Sequence, residues 1–248
     1  MPAAVGSIMA RLRFAALAAL TMTAGACARL AEVRYKVLVE VDDNGTPRSG
    51  SSVWSFRLSK PTVALASPYD AAFKGEAVAV DLGNHNVLFA LLVDEKGNSG
   101  TGMMWPENLF KDLSSGSDRV RNIRRIASHE GLAREVPRFF PPISKSREPM
   151  VQYPMLVRFR ELDRPETLEA VAPDALDRAF GAGVKLKRIS IQITNDPVTV
   201  GIKKRLPWLE EVGRARGTLI PNPPRRMADA QPVQLVSPGA FTTELYKR

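Results

Sequence analysis

Two distant stretches, Val33 to Val41 and Val184 to Thr194, alternate apolar and polar side chains with a period of two. In the first, Val33, Tyr35, Val37, Val39 and Val41 share one face, with Arg34, Lys36 and Glu40 on the other. In the second, Val184, Leu186, Ile189, Ile191 and Ile193 are apolar, and the pattern slips near Lys187 and Arg188 as a β-bulge would make it. Successive side chains of a strand point to opposite faces, so this rhythm with β-branched residues predicts half-buried strands. The chain has a single cysteine, so no internal disulfide braces such strands and packing alone must hold them.

The rest of the pattern follows the same logic. Asp42-Asp43-Asn44-Gly45 is turn chemistry, because Asn-Gly accepts positive φ cheaply, and Ser51 to Leu58 returns as the partner of the first strand. Glu76 to Leu82 and Val87 to Val93 form a second pair joined by Gly83-Asn84-His85-Asn86. The second member of that pair, VLFALLV, is nearly continuously apolar, as in a strand covered on both faces. Met155 to Phe159 and Leu168 to Val171 give a third pair. Helical spacing is seen at Trp105 to Phe110, from Asp118 to Val136 behind a Ser117 or Asp118 cap, and at Pro173 to Gly181. The predicted fold is α+β: mainly antiparallel β-hairpins in one sheet system, a sandwich or partly open barrel, with two or three short helices. One globular domain over 33–212 is expected, followed by a proline-rich extension over 213–248 that runs extended or loosely docked.

The N-terminus reads as an address. Arg11 and Arg13 precede the apolar run that starts at Phe14 and closes on Ala24-Gly25-Ala26-Cys27. The stretch from Phe14 to Ala26 would span roughly 20 Å as a helix, short of the ~30 Å hydrocarbon core, so it predicts a cleaved signal peptide over 1–26 rather than a permanent span. Ala24-Gly25-Ala26 fits a general cleavage site. With Cys27 it also fits the lipobox of bacterial lipoproteins, in which the cysteine becomes the acylated N-terminus, although Ala24 stands where leucine is usual. An exported chain with one cysteine has no disulfide use for it, and acylation at Cys27 is the favoured expectation. Residues 27–32 would be the tether. Ala28 is not the aspartate associated with inner-membrane retention, which points to the periplasmic face of the outer membrane; a soluble periplasmic or secreted protein is the alternative.

The chemistry-bearing residues are sparse. The net charge is +9, or +7 once Arg11 and Arg13 leave with the leader, which favours association with anionic surfaces. Arg121, Arg124 and Arg125 crowd one side of the expected helix and are the best local candidates for binding an anion or partner, against the simpler reading of a solvated face. Partners expected on this basis are the membrane through the N-terminal lipid, and an envelope protein, glycan or anionic lipid; nucleic acid is not expected for an exported chain. The two histidines, His85 and His129, and the absence of cysteine after the leader leave no zinc-ligand pattern, so no metal and no cofactor are expected. Asp42 and Asp43 lack the oxygen spacing of a calcium loop. Gly97 to Gly102 lacks the Gly-Lys-Ser/Thr ending of a phosphate loop and reads as a flexible connection. No catalytic residue is assigned. The enzymatic alternative is a periplasmic hydrolase, for which Asp81, His85 and Ser99 are close enough in sequence to test.

Three stretches, Gly75 to Leu82 with Leu88 to Leu92, Leu156 to Gly181, and Ile189 to Leu209 (ISIQITNDPVTVGIKKRLPWL), resemble a group of proteobacterial proteins that begin with a signal or lipoprotein leader. The resemblance covers most of Val33 to Leu209. It implies an envelope location and one shared fold, and it transfers no activity and no catalytic residue.

Overall fold

The alternation of Val33 to Val41 becomes strand β1 (Arg29–Asp43), whose odd-numbered residues from Ala31 to Val41 are buried. The computed structural model describes residues 29–61, 67–141, 149–215, 217–226 and 229–245. Cys27 and the leader lie outside the described residues. Residues 29–32, read from the sequence as tether, continue the strand because β2 (Thr46–Ser59) is long enough to pair with them, Ala31 opposite Leu58. Asn44 and Gly45 turn the hairpin with φ of 52° and 84°, the left-handed pair that suits the twist of two strands.

The strands that follow are β3 (Asp70–Lys74), β4 (Val78–Asp81), β5 (Val87–Asp94), β6 (Ala133–Glu135), β7 (Phe139–Phe140), β8 (Met150–Val151), β9 (Pro154–Phe159), β10 (Leu168–Ala170) and β11 (Val184–Ile193). The helices are short: α1 (Trp105–Leu109), α2 (Arg119–Ala127), α3 (Leu176–Phe180), α4 (Ile202–Arg205) and α5 (Leu209–Ala215). Among the described residues every strand pairing is antiparallel. One sheet runs β3-β2-β1-β11-β6, a second β10-β9-β5-β4, and β7-β8 is a separate ribbon. Both large sheets are open and no barrel closes among the described residues, so the α+β class holds. Lys187 is the extra residue where β11 meets β1: Glu40 pairs with Arg188 and Val41 with Leu186.

Two sequence expectations give way to tertiary pairing. The helix beginning at Asp118 does not reach Val136. It stops at Ala127, Gly131 takes φ of 84°, and residues 133–135 join β11 as an edge strand. The helix expected from Pro173 begins only at Leu176.

The two sheets face each other across one core, with Val33, Val37, Phe56, Val78, Leu88 and Ile191 among its buried members. Within it Trp54 stacks on Trp105 at 5.2 Å and lies edge-on to Tyr35 and Phe73. The Trp54 indole N–H donates to the Glu76 carbonyl (2.8 Å), and the buried Tyr35 hydroxyl donates to the Gly102 carbonyl (2.7 Å), so both polar tips are satisfied. Burial pushes the Tyr35 phenol well above its usual range.

The outer face of the second sheet is covered too, which explains the unbroken apolar run of β5. Leu88, Ala90 and Leu92 enter the first core, while Val87, Phe89 and Leu91 enter a second with Phe159, Leu206, Leu209 and Phe241. The proline-rich segment that the sequence leaves extended or loosely docked supplies part of this layer. Leu219, Val233, Val236 and Phe241 are buried, Phe241 completely, and the Ala77 N–H donates to the Phe241 carbonyl at 2.8 Å. Each such apolar side chain contributes roughly 1.5–3 kcal/mol when fully buried.

Between the first core and this third layer the chain crosses the outer face of the five-stranded sheet. Arg34 donates to the Asn195 and Asp196 carbonyls, Lys36 pairs with Asp196 (3.0 Å), and Thr199 brackets the Val53 backbone. The buried Glu76 carboxylate then receives the Gly201 and Ile202 N–H groups at 2.7 and 3.0 Å, pinning the start of α4.

Candidate functional site

Helix α2 is built to turn arginines outward. Asp118 caps it by accepting from the Arg121 N–H (3.0 Å), and Ile123 and Ile126 are fully buried against the core. Their burial fixes the helix rotation, which leaves Arg121, Arg124 and Arg125 exposed. Arg124 and Arg125 also stand in the last turn, where the helix dipole favours positive charge.

The arginines of α2 are not equivalent. Arg119 points inward, donates to Glu107 (2.7 Å) and lies over the Phe56 ring at 5.1 Å. Its pKa is held up first by the hydrogen bond to Glu107, against the opposing effect of burial. That residue ties α1 to α2. Arg121 is close to Asp118 (3.5 Å) at a largely exposed position. Arg124 donates through Nε to the Leu30 carbonyl (2.8 Å), a neutral acceptor, and makes no ion pair with a described residue. Arg125 makes no ion pair with a described residue. The three arginines singled out in the sequence therefore do share one face, and that face sits at the N-terminal end of β1. Lys60, exposed just past β2, lies at the same end, since Ser59 pairs with Arg29.

The grouping of Asp81, His85 and Ser99 is not assembled. Asp81 and His85 belong to the tight turn between β4 and β5, where the Asp81 carboxylate accepts from the Gly83 N–H (2.9 Å) and stands 3.6 Å from Arg205. Ser99 bridges Val93 at the opposite end of β5. From Val87, which is paired with Asp81, to Val93 the strand covers roughly 20 Å at about 3.3 Å per residue, far beyond hydrogen-bond reach. His85 is exposed at φ of 63° and borders a pocket of about 660 Å³ with Arg160, Asp163, Arg205 and Trp208. Arg160 is already bound to Glu169 (2.9 Å) and the Trp208 indole donates to the Leu162 carbonyl (2.9 Å). No group of three or more His, Cys, Asp or Glu side chains able to hold a metal occurs among the described residues.

One polar centre was hidden from the sequence. Asp94 is buried, and its carboxylate organises the glycine-rich loop read as a flexible connection. It accepts from the Lys96 and Asn98 N–H groups, each at 2.9 Å, from the Asn98 amide (3.1 Å) and from the Thr101 hydroxyl (2.9 Å). The donors a phosphate would need are thus occupied by an internal anion, and the loop is a structural one. The outer face of the five-stranded sheet pairs several of its charges, Lys36 with Asp196 and Arg188 with Glu40; Arg134, opposite the core residue Ile191, pairs with Asp112 and lies over the Phe110 ring. On the arginine face of α2, Arg124 and Arg125 have no carboxylate partner among the described residues.

Compared with known proteins, the chain matches no family model, no curated protein and no solved structure.

Proposed function

We propose that this chain is an exported envelope protein, anchored through an acylated Cys27 to the periplasmic face of the outer membrane, and that it acts there as a non-enzymatic binding or structural component. The observation that carries this reading is the sequence Ala24-Gly25-Ala26-Cys27 at the end of an apolar leader, immediately before a strand that starts at Arg29. More than one acyl chain, each contributing about 0.8 kcal/mol per buried methylene, gives a lasting hold that a soluble basic domain lacks. The second support is the distribution of chemistry. The buried carboxylates of Glu76 and Asp94 are consumed by backbone and side-chain donors, and the reactive-type residues Asp81, His85 and Ser99 do not converge. The exposed arginines of α2 suit an anionic partner.

Metabolic labelling with a palmitate analogue tests the anchor. Wild-type protein takes up the label and fractionates with the outer membrane, whereas Cys27→Ser does neither. Equal solubility of the two without label refutes the anchor.

A further inference from the structure

Arg124 fixes the basic face of α2 to Leu30, three residues after Cys27 in the chain. Three residues of fully extended chain reach no farther than about 11 Å. An acyl glyceride on Cys27 lies in the lipid interface, so the Leu30 carbonyl and the guanidinium bound to it stay close to the headgroup layer whatever path those residues take. Electrostatic attraction to an anionic membrane dies away over a Debye length of about 8 Å at physiological salt, which matches this reach.

We propose that Arg121, Arg124 and Arg125 form a membrane-facing surface that binds anionic phospholipid headgroups and orients the domain on its anchor. Arg29 and Lys60 flank it at the same end of the five-stranded sheet. Nearby carboxylates are Glu32, which pairs with Arg29, Asp118, which stands beside Arg121, and Asp70 opposite Ser59. They leave Arg124 and Arg125 as the free charges of the patch. The choice of a lipid partner rests on the lipoprotein reading. A protein or glycan partner would have no reason to require the patch beside the anchor.

The test uses the mature chain, residues 27–248, carrying Cys27→Ser, so that neither the apolar leader nor an acyl chain contributes. Binding is measured to vesicles of phosphatidylcholine alone and to vesicles of phosphatidylcholine and phosphatidylglycerol in equal parts. A basic residue near an anionic surface is worth about fivefold in partitioning, and Arg121 is partly screened by Asp118. Arg121→Gln/Arg124→Gln/Arg125→Gln is therefore expected to weaken binding to the acidic vesicles at least tenfold. Lys185→Gln/Lys187→Gln/Arg188→Gln removes the same charge from the opposite end of β11 and is expected to change it less than about twofold. The charge-preserving Arg121→Lys/Arg124→Lys/Arg125→Lys variant restores binding, which separates loss of charge from loss of fold. Equal weakening by the two glutamine variants, or no preference for acidic vesicles, overturns the proposal. Neither outcome depends on lipidation: absent palmitate label refutes the anchor, while absent vesicle preference refutes this surface.

Discussion

At Gly50 the backbone of β4 lies hard against β2, which offers a stringent test of how the two sheets meet. A Cβ added there would stand 2.1 Å from the Ala79 carbonyl oxygen, 2.7 Å from its carbon and 3.2 Å from the Val80 Cα. A carbon–oxygen contact normally needs about 3.3 Å, so roughly 1.2 Å of overlap must be relieved. All three atoms belong to backbone, and no side chain can rotate away. Relief requires β4 to move off β2, which opens the packing of Val78 and Val80 in the core. Overpacking of this kind costs about 3 kcal/mol at the upper end of its usual range. Replacing glycine in a strand returns about 0.5–1 kcal/mol of chain entropy, so Gly50→Ala should lose about 2 kcal/mol net. With a urea slope of about 2 kcal/mol per molar, the unfolding midpoint falls by roughly 1 M. Ser49→Ala, at an exposed neighbouring position, should stay within about 0.5 kcal/mol of wild type. A Gly50→Ala protein as stable as wild type would refute the close approach and with it the described sheet packing.

Other outcomes follow from single contacts. Gly102→Ala would bring a Cβ to 2.5 Å from the Trp54 ring, which is held against Trp105; it should cost about 1–3 kcal/mol and shift tryptophan fluorescence to the red. Glu76→Ala leaves the Gly201 and Ile202 N–H groups without their acceptor and should cost about 2–3 kcal/mol, with faster proteolysis after α4, whereas Glu76→Gln keeps one acceptor oxygen and should lose less. Phe241→Ala removes the centre of the third layer and should cost about 3–5 kcal/mol by chemical denaturation. The Asp196 carboxyl is held below its usual range first by the hydrogen bond from Lys36, so its contribution is present above its unfolded value of about 3.9 and is lost as pH falls through the lower folded value; in a carboxylate NMR titration Lys36→Gln should raise its midpoint toward the unfolded one.

The strands were legible where one physical rule acted alone. β1 and β11 show period two because each has one face in the core, and the slip at Lys187 marks the bulge because an extra residue must break the rhythm. β5 was legible as a doubly covered strand, but what covers it was not. Prolines at 221, 223, 224, 232 and 238 argue against regular structure. They do not forbid short turns that press Leu219, Val233 and Phe241 onto a waiting apolar face. β6 was masked because Leu132, Ala133 and Val136 also fit helical spacing, and only β11, far along the chain, decides between the two. The candidate site divides the same way. Arg121, Arg124 and Arg125 are visible as one helix face from spacing alone. That this face lies beside the start of β1 depends on the Arg124 to Leu30 contact, which spans 94 positions and leaves no local mark. Asp94 carries no local mark in the sequence; its burial and four donors arise only when the loop closes on it.

The most direct measurement is the intact mass of the protein purified from its own envelope, together with the sequence of its first residues. A mature chain that begins at Cys27 and carries the added mass of a diacylglyceryl group is the expected result. A chain that begins at Cys27 without added mass, or one that retains the leader, would contradict the anchor and remove the reason for placing the arginine face of α2 at a membrane.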